Sequence, residues 1–358
     1  FDFCPIWGCW EIDRNSRPLG KGSFGTVWKA NRRDNVTGDL YYSAIKHISI
    51  PQDEREIRSL IDESVLSDTQ SVKKYYNKIL ESLVSEIKTM YSLRGHTNIV
   101  SYEDHLIVPK KDEVGYDLFI RMELLTSLST KLEHGGFKRA DVIKLGMDIS
   151  KAIAVLNAFN YVHRDIKPQN IFVSGMGDYK LGDYGTARLL ENSTISMTKK
   201  GTYAYMAPEV YKGEQANRTV DIYSLGIVMY RLMNGNRLPF LSPVADIVSS
   251  AESENALLRR IRGDSLPNPT YADDKLAKVI LRACAYRSED RYQSGQDMYE
   301  ALKALDYAPT EGNEETQTID EVTSEVDVEI EMQSHTELRD DYASNAKKKQ
   351  SSSLIEKR

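Results

Sequence analysis

The chain has 358 residues, of which 41% are hydrophobic and 28% are charged, and both values are ordinary for a globular protein. This length exceeds what one small core needs and fits a domain of two lobes with an appendage. Residues 309–358 carry 13 acidic and 6 basic side chains, so their charge is −7 while the rest of the chain carries +1. No strongly basic surface is expected, which argues against a nucleic-acid partner.

The cysteines and the lengths of the apolar stretches indicate the cellular compartment of the chain. The three cysteines, Cys4, Cys9 and Cys284, form neither a disulfide framework nor a zinc-binding set, so we expect a reducing compartment and a cytoplasmic location. No stretch approaches the roughly 20 apolar residues of a membrane span. The sequence therefore predicts no membrane-spanning segment in this chain.

Residues 1–18 are rich in aromatic side chains, and Cys4 and Cys9 flank the first tryptophan. We expect this extension to pack on the first strands of the domain, because large aromatic side chains are usually buried. The alternative is a metal or redox role for the two cysteines.

A glycine-rich stretch at residues 20–27 reads Gly-Lys-Gly-Ser-Phe-Gly-Thr-Val. Glycines in a turn let backbone N–H groups approach phosphates, because no Cβ stands in the way. A dinucleotide-binding fold would need a helix that begins at the last glycine. Here β-branched and aromatic residues continue to Ala30, and residues 41–46 read as a second strand. The pattern indicates a phosphate-binding loop between two strands.

The stretch from His163 to Asn170 reads His-Arg-Asp-Ile-Lys-Pro-Gln-Asn, and Asp183-Tyr184-Gly185 follows after a short hairpin. An acid, a base and metal-binding oxygens thus lie within a few residues of each other. Such a set favours phosphoryl transfer, in which the protein mainly positions groups and stabilises charge. Together with the glycine-rich stretch, these motifs resemble those of protein kinases.

The resemblance spans about Trp10 to Tyr307. The long stretch between Lys46 and Glu86 and the sequence of residues 201–209 look like bacterial kinases of the eukaryotic-like Ser/Thr type. The resemblance implies an α+β, bilobal fold, with a small antiparallel β-sheet lobe that carries one regulatory helix and a larger, mainly helical lobe. The implied divisions are the extension 1–18, the nucleotide-binding small lobe 19–124, the large lobe 125–307 and an acidic, disordered tail 308–358.

The resemblance also implies which residues carry the reaction. Asp165 would accept or orient the proton of the substrate hydroxyl, and Lys167 would steady the moving phosphoryl group, as in the Ser/Thr members. Asn170 and Asp183 would bind Mg²⁺, with Mn²⁺ as an alternative, because hard cations prefer oxygen ligands.

ATP would lie between the lobes. Lys46 would hold the α- and β-phosphates and pair with Glu86, which we prefer to Glu81. Met122 would stand beside adenine, and backbone groups of the connector would bond its edge. The implied ATP-binding residues are Gly20, Lys21, Gly22, Ser23, Phe24, Gly25, Val27, Ala44, Lys46, Met122, Glu123, Leu125 and Phe172.

Residues 183–209 resemble an activation segment, with Tyr184 where the family usually has Phe. Arg164 would need an anion beside it, which a phosphate on this segment would supply. We expect Thr198 to be autophosphorylated, with Thr194 and Ser196 as alternatives.

Other positions would support the site. Thr202 would hydrogen-bond the catalytic loop, Glu209 would pair with Arg291, and Asp221 would hold the backbone of the catalytic loop. Asp221 would also begin an apolar helix. Further helices are predicted at residues 139–159, 245–262, 273–286 and 294–305.

The expected partners are proteins with Ser or Thr acceptors and, for phosphorylation in trans, a transient dimer. Gln169 argues against a strong preference for basic peptides. The tail is expected to be a solvating linker. Its alternatives are a strand at residues 322–332 that pairs with a partner and threonines that recruit a phosphothreonine-reading domain.

Two further classes of function remain open. A silent pseudokinase could bind nucleotide or partners as a scaffold, but Lys46, Glu86, Asp165, Asn170 and Asp183 all have the residue types that catalysis needs. A kinase of small molecules is disfavoured by Ala207-Pro208-Glu209, which the resemblance assigns to a peptide-binding surface.

Overall fold

The computed structural model describes residues 10–12, 17–22, 25–52, 56–58, 69–111, 114–133, 135–183, 203–214, 217–244 and 247–306. The chain divides into a compact unit, Phe1–Ala308, and a second unit, Pro309–Arg358. The second unit, which includes the predicted acidic tail, lies outside the described residues. None of the helices in the described ranges is both long and apolar enough to cross a membrane.

An antiparallel sheet of six strands forms the small lobe, in the order β1-β3-β4-β6-β5, with β2 also paired to β3. Alternating β-branched and aromatic residues favour these strands. At the tight turn between β3 and β4, Asp34 accepts hydrogen bonds from the backbone N–H groups of Val36 and Thr37. The strands are β1 (Glu11–Ile12), β2 (Gly20–Gly22), β3 (Gly25–Arg33), β4 (Leu40–Ile50), β5 (Tyr102–Pro109) and β6 (Tyr116–Met122).

One long helix, α1 (Thr69–Ser92), accompanies this sheet and carries Glu86. Its buried residues Tyr76, Leu83, Ile87 and Met90 recur at intervals of three, four and seven, as expected for the buried face of an amphipathic helix. The structure thus contains the regulatory helix that the resemblance implies for the small lobe.

The large lobe is mainly helical, and its central helix is α5, whose residues Thr219–Tyr230 are all buried. Helix α3 packs against both α5 and α8. A small sheet, β7-β8-β9, carries the loops of the site. The elements are β7 (Thr126–Ser127), α2 (Leu128–Leu132), α3 (Arg139–Ala158), β8 (Ile171–Val173), β9 (Tyr179–Leu181), α4 (Pro208–Tyr211), α5 (Thr219–Leu232), α6 (Ser250–Arg262), α7 (Asp274–Ala283) and α8 (Gly295–Asp306). The predicted α+β, bilobal fold is confirmed.

Two helix starts differ from the predicted ones by two or more residues. Helix α6 begins at Ser250 and not at residue 245, because Ser249 and Glu252 form a capping box at its first turn. Helix α5 begins at Thr219, two residues before Asp221, where the side chain of Asn217 accepts a hydrogen bond from the backbone N–H of Thr219.

One hydrophobic core runs through both lobes, from Ile48 on β4 and Leu83 on α1 to Leu302 on α8. A second, smaller cluster lies on the small-lobe sheet and consists of Trp10, Ala30, Ile45 and Phe119. Strand β1, which follows Trp10, pairs with β3 beside this cluster. The shared core gives the loops between the lobes a rigid base.

The start of α8 tests the packing of the large lobe. A Cβ at Gly295 would collide with the carbonyl oxygen of Ser150 and lie 2.5 Å from the backbone nitrogen of Ala154, both on α3. We expect Gly295→Ala to lower the free energy of unfolding by about 2 kcal/mol, because α8 must move away from α3. Urea denaturation measures this change. Gly175→Ala is the matched control, since nothing lies within 4 Å of its Cβ. Equal midpoints for the two variants would contradict the packing described.

Candidate active site

The loop between α3 and β8 is held by a buried carboxylate from α5. Oδ2 of Asp221 accepts a hydrogen bond from the backbone N–H of His163 at 2.7 Å, and Oδ1 accepts one from that of Arg164 at 2.8 Å. Arg164 has a φ of +65°, which non-glycine residues adopt only with support from their surroundings. Burial raises the pKa of Asp221, although these two N–H groups oppose that shift. The loop conformation therefore depends on the two hydrogen bonds.

Three side chains of this loop converge. Nζ of Lys167 lies 2.9 Å and 2.7 Å from the two carboxylate oxygens of Asp165. The Nδ2 group of Asn170 donates to the backbone carbonyl of Asp165 at 2.7 Å and to its Oδ2 at 2.9 Å. The carboxylate of Asp165 is thus fixed in position between an ammonium and an amide.

Asp183 lies directly after β9 and meets Lys46 of β4 from the other lobe. Nζ of Lys46 forms an ion pair with Oδ1 of Asp183. Burial by itself would lower the pKa of Lys46, but the charges of Asp183 and Glu86 raise it. Burial would raise the pKa of Asp183, but Lys46 holds it below its usual value. Both groups are therefore charged at neutral pH.

The predicted ion pair between Lys46 and Glu86 is not formed in this structure. Oε2 of Glu86 is buried and has no hydrogen-bond partner among the described residues. Burial raises the pKa of Glu86 to about 8, and the charge of Lys46 opposes this shift without cancelling it. The reason is competition, since one ammonium group faces two carboxylates and bonds to Asp183.

Most of the predicted nucleotide-binding residues lie on the strands of the small lobe, around Lys46 of β4. Gly20 and Gly22 lie on β2, and Gly25 opens β3 with a φ of +141°, where a Cβ would collide with the carbonyl oxygen of His47. Val27 lies opposite Lys46 across β3 and β4. Ala44 lies opposite Met122 across β4 and β6. Lys21 is exposed on β2, Phe172 is partly exposed on β8, and Ser23 and Phe24 lie outside the described residues.

The connector between the lobes, whose backbone is predicted to bond the adenine edge, has one backbone group already engaged. The N–H group of Glu123 donates to the carbonyl oxygen of Ser101 at 3.1 Å, so Glu123 can offer only its carbonyl. No described residue accepts a hydrogen bond from the N–H group of Leu125. The carbonyl oxygen of Glu123 and the N–H group of Leu125 thus remain as acceptor and donor for a ligand.

The side chain of Glu123 has a function that the sequence did not reveal. Its two oxygens lie 2.8 Å from Nζ of Lys180 on β9, and Oε1 also accepts from the backbone N–H of Ser101 at 2.6 Å. The Lys180 partner is 57 positions away in the sequence, and no local pattern connects the two residues. This ion pair ties the connector to the large lobe.

The donor atoms of the site fit a hard metal cation. No cluster of three or more His, Cys, Asp or Glu side chains suited to a metal occurs within the described ranges. The site instead offers the carboxylate of Asp183 and the amide oxygen of Asn170, whose nitrogen is already engaged with Asp165. One carboxylate and one amide suit a cation that takes its other ligands from phosphates and water.

Beyond the loop, Glu209 of α4 forms a bidentate ion pair with Arg291. The distances are 2.6 Å from Nη1 to Oε1 and 2.8 Å from Nη2 to Oε2. The guanidinium group also donates to the backbone carbonyls of Ala285 and Tyr286. Arg291 is fully buried, so this pair anchors the end of the predicted activation segment.

Residues 184–202 of that segment lie outside the described residues. This range includes Tyr184, the predicted phosphorylation sites Thr194, Ser196 and Thr198, and Thr202. Those predictions remain predictions.

A family model, the protein kinase domain, matches residues 14–308 of the chain. The chain belongs to the protein kinase family. The region matched includes the catalytic loop, Lys46 and Asp183, and it ends two residues after α8. The motifs that suggested the resemblance therefore lie within the matched region.

Curated relatives of this kinase domain include bacterial enzymes. It is 31% identical to serine/threonine-protein kinase PrkC of Bacillus subtilis, over 63% of this chain and 34% of PrkC. It is 30% identical to the probable serine/threonine-protein kinase PknB of Corynebacterium glutamicum, over 59% of this chain and 33% of that protein. Serine/threonine-protein kinase PkaA of Streptomyces coelicolor is 27% identical over 80% of this chain and 49% of PkaA. The chain thus spans about a third to a half of the length of these relatives.

The unpaired Glu86 gives the kinase domain a pH-dependent stability. The pKa of Glu86 in the folded protein is about 8, above its usual value of 4.5. The contribution of this carboxyl group to the stability of the folded state is therefore fully present below pH 4.5 and is lost as the pH rises through 8. Glu86→Gln has no such titration. We expect it to be more stable than the wild type by about 3 kcal/mol near pH 8.5, with a smaller difference near pH 5.5.

Chemical denaturation of the nucleotide-free protein across this pH range measures the effect. Glu81→Gln, on the exposed face of the same helix, is the control and should follow the wild type. A Glu86→Gln curve parallel to the wild-type curve would show that Glu86 is ionised at neutral pH.

The buried pair of the kinase domain should be far more sensitive than an exposed one. Glu209→Ala leaves the guanidinium group of Arg291 buried without a carboxylate, and we expect a loss of about 3 kcal/mol of stability. Asp264→Ala breaks the exposed Arg259–Asp264 pair and should cost less than about 1 kcal/mol. Thermal unfolding of both variants compares them. Similar losses would mean that the Glu209–Arg291 pair contributes no more than a surface contact.

Proposed function

We propose that this chain is an ATP-dependent protein kinase that phosphorylates Ser and Thr hydroxyls of proteins in a signalling pathway. The observation that carries the proposal is the convergence of Lys46 from the small lobe with Asp183, beside the Asp165–Lys167–Asn170 cluster. These groups supply a proton acceptor, a cation for the transferred group and oxygen ligands for a metal, as phosphoryl transfer requires.

The proposed catalytic residue at the acceptor hydroxyl is Asp165. Its carboxylate orients the hydroxyl and takes its proton, while Lys167, bonded to the same carboxylate, stabilises the charge of the transferred group. The contacts from Lys167 and Asn170 hold this carboxylate in one position before the substrate arrives. Pre-positioning of this kind removes much of the entropic barrier to the reaction.

Asn170 and Asp183 are the proposed ligands of Mg²⁺, and Mn²⁺ has the same ligand preferences. The metal would supply neutralisation of the phosphate charge. Lys46 is proposed to hold the α- and β-phosphates and, when it leaves Asp183, to pair with Glu86, whose carboxyl then ionises. The glycine strands β2 and β3, with Val27, Ala44, Met122, Leu125 and Phe172, would enclose the nucleotide.

Specificity for Ser and Thr is supported by two observations. Lys167 lies two residues after Asp165 and bonds to it, and the similar bacterial proteins are named serine/threonine-protein kinases. We also propose that Thr198 is phosphorylated in trans within a transient dimer, with Thr194 and Ser196 as alternatives. A phosphothreonine-reading domain on the tail is a further proposed partner.

The test is incubation of the full chain with ATP and Mg²⁺, with and without a generic protein substrate, followed by phosphosite mass spectrometry. We expect phosphate on Ser and Thr of the wild type. Asp165→Asn and Lys46→Met should lower the rate by about 100-fold or more. Lys88→Met changes an exposed lysine of α1 and should keep wild-type activity.

The same spectra test the activation proposal. Thr198 should be among the modified sites, and Thr198→Ala should lower turnover. If nucleotide binds but neither the chain nor the added protein is modified, the chain is a pseudokinase scaffold and the proposed function is wrong. If Thr198→Ala changes neither the number of phosphates incorporated nor the turnover, only the activation proposal fails.

A further inference from the structure

Two guanidinium groups lie against the short segment Tyr203–Tyr205 that precedes α4. Nη1 of Arg231, in the last turn of α5, donates to the hydroxyl of Tyr205, and its Nε donates to Oδ1 of Asn236 at 2.6 Å. Nη2 of Arg260, in the last turn of α6, donates to the backbone carbonyl of Tyr203 at 3.4 Å. Two helix ends thus deliver two positive charges to one segment.

Both charges act at the same point. The hydroxyl of Tyr205 is buried, which raises its pKa, and Arg231 and Arg260 both oppose that shift. Both guanidinium groups also hydrogen-bond the same three-residue segment, Arg231 at the Tyr205 hydroxyl and Arg260 at the Tyr203 carbonyl. The two guanidinium groups therefore create a single region of positive potential.

No carboxylate compensates these charges within the described ranges. Neither Arg231 nor Arg260 has an ion-pair partner there, and nearby acids are engaged elsewhere. Glu209 is bound to Arg291, Asp221 to the catalytic loop, and Asp264 to Arg259. The positive charge is thus available to a ligand.

Arg260 makes the case for a ligand stronger. It is 3% exposed, and its buried Nη1 has no hydrogen-bond partner among the described residues. A buried, unpaired guanidinium is costly to the folded state, and an anion bound beside it would offset that cost. Arg231, which is only partly buried, is the group that solvent and a ligand can reach.

We propose that Arg231 and Arg260 form an anion subsite that selects protein substrates with a negatively charged side chain close to the acceptor hydroxyl. This inference rests on the proposed function, because it assigns a substrate class to the same site. The segment that the subsite borders leads directly into Ala207-Pro208-Glu209. A carboxylate and a phosphate are both bound by guanidinium groups through charge-assisted hydrogen bonds.

The experiment is steady-state kinetics of the full chain on matched Ser peptides. Their flanking positions carry glutamate, phosphoserine, glutamine or lysine. For the wild type we expect kcat/KM to be about tenfold higher with glutamate than with glutamine, mainly through KM. A still higher value with phosphoserine would mean that the subsite favours previously phosphorylated substrates, and equal values would assign it to acidic sequences.

Variants separate recognition from structure. Arg231→Gln should abolish the preference for glutamate over glutamine, Arg231→Lys should keep part of it, and Arg231→Glu should reverse it towards lysine. Arg260→Met should weaken it. Arg262→Gln removes an exposed charge from the same helix and should leave the preference intact. If Arg231 has only a structural role, Arg231→Gln should lower kcat/KM equally for all four peptides.

The two proposals fail in different ways. If the wild type phosphorylates the peptides but shows no preference for an anion, or prefers lysine, the subsite is refuted and the kinase function stands. The same holds if Arg231→Gln and Arg231→Glu keep the wild-type preference. If neither the peptides nor a generic protein is phosphorylated, the proposed function fails, and the subsite falls with it.

Discussion

The candidate active site depends on one buried carboxylate. Asp221 is fully buried inside α5, yet it accepts hydrogen bonds from two consecutive backbone N–H groups, those of His163 and Arg164. These bonds support the left-handed backbone of Arg164, a conformation that costs about 1 kcal/mol or more. Because α5 is buried along nearly its whole length, it gives the loop a rigid base. Asp165, the next residue, takes its position from this arrangement.

Charge balance governs the cleft between the lobes. One ammonium group, Lys46, faces two carboxylates, Asp183 and Glu86, and it can neutralise only one of them well. The other carboxylate is left in a buried environment that favours its neutral form. A cleft in which acidic groups outnumber basic ones in this way suits a divalent cation.

On the surface proposed to bind substrates, positive charges are in excess. Arg231 and Arg260 approach Tyr203–Tyr205 from two helices. The carboxylates of Glu209, Asp221 and Asp264 bind Arg291, the catalytic loop and Arg259 instead. The acidic side chains in the cleft favour a cationic ligand, and the basic side chains of Arg231 and Arg260 favour an anionic one. A metal–nucleotide complex and an anionic peptide could then bind side by side.

Much of the protein could be predicted from its sequence. The family, the bilobal fold and the helix that carries Glu86 followed from the resemblance of short motifs, because residues such as 163–170 act within one loop. The start of α6 was predicted wrongly at residue 245, because the capping box formed by Ser249 and Glu252 was overlooked. Only the tertiary structure decided the partner of Lys46, the Glu123–Lys180 pair and the unbalanced charges of Arg231 and Arg260. These depend on which side chains meet across long sequence separations and on how deeply each is buried, and local patterns contain neither.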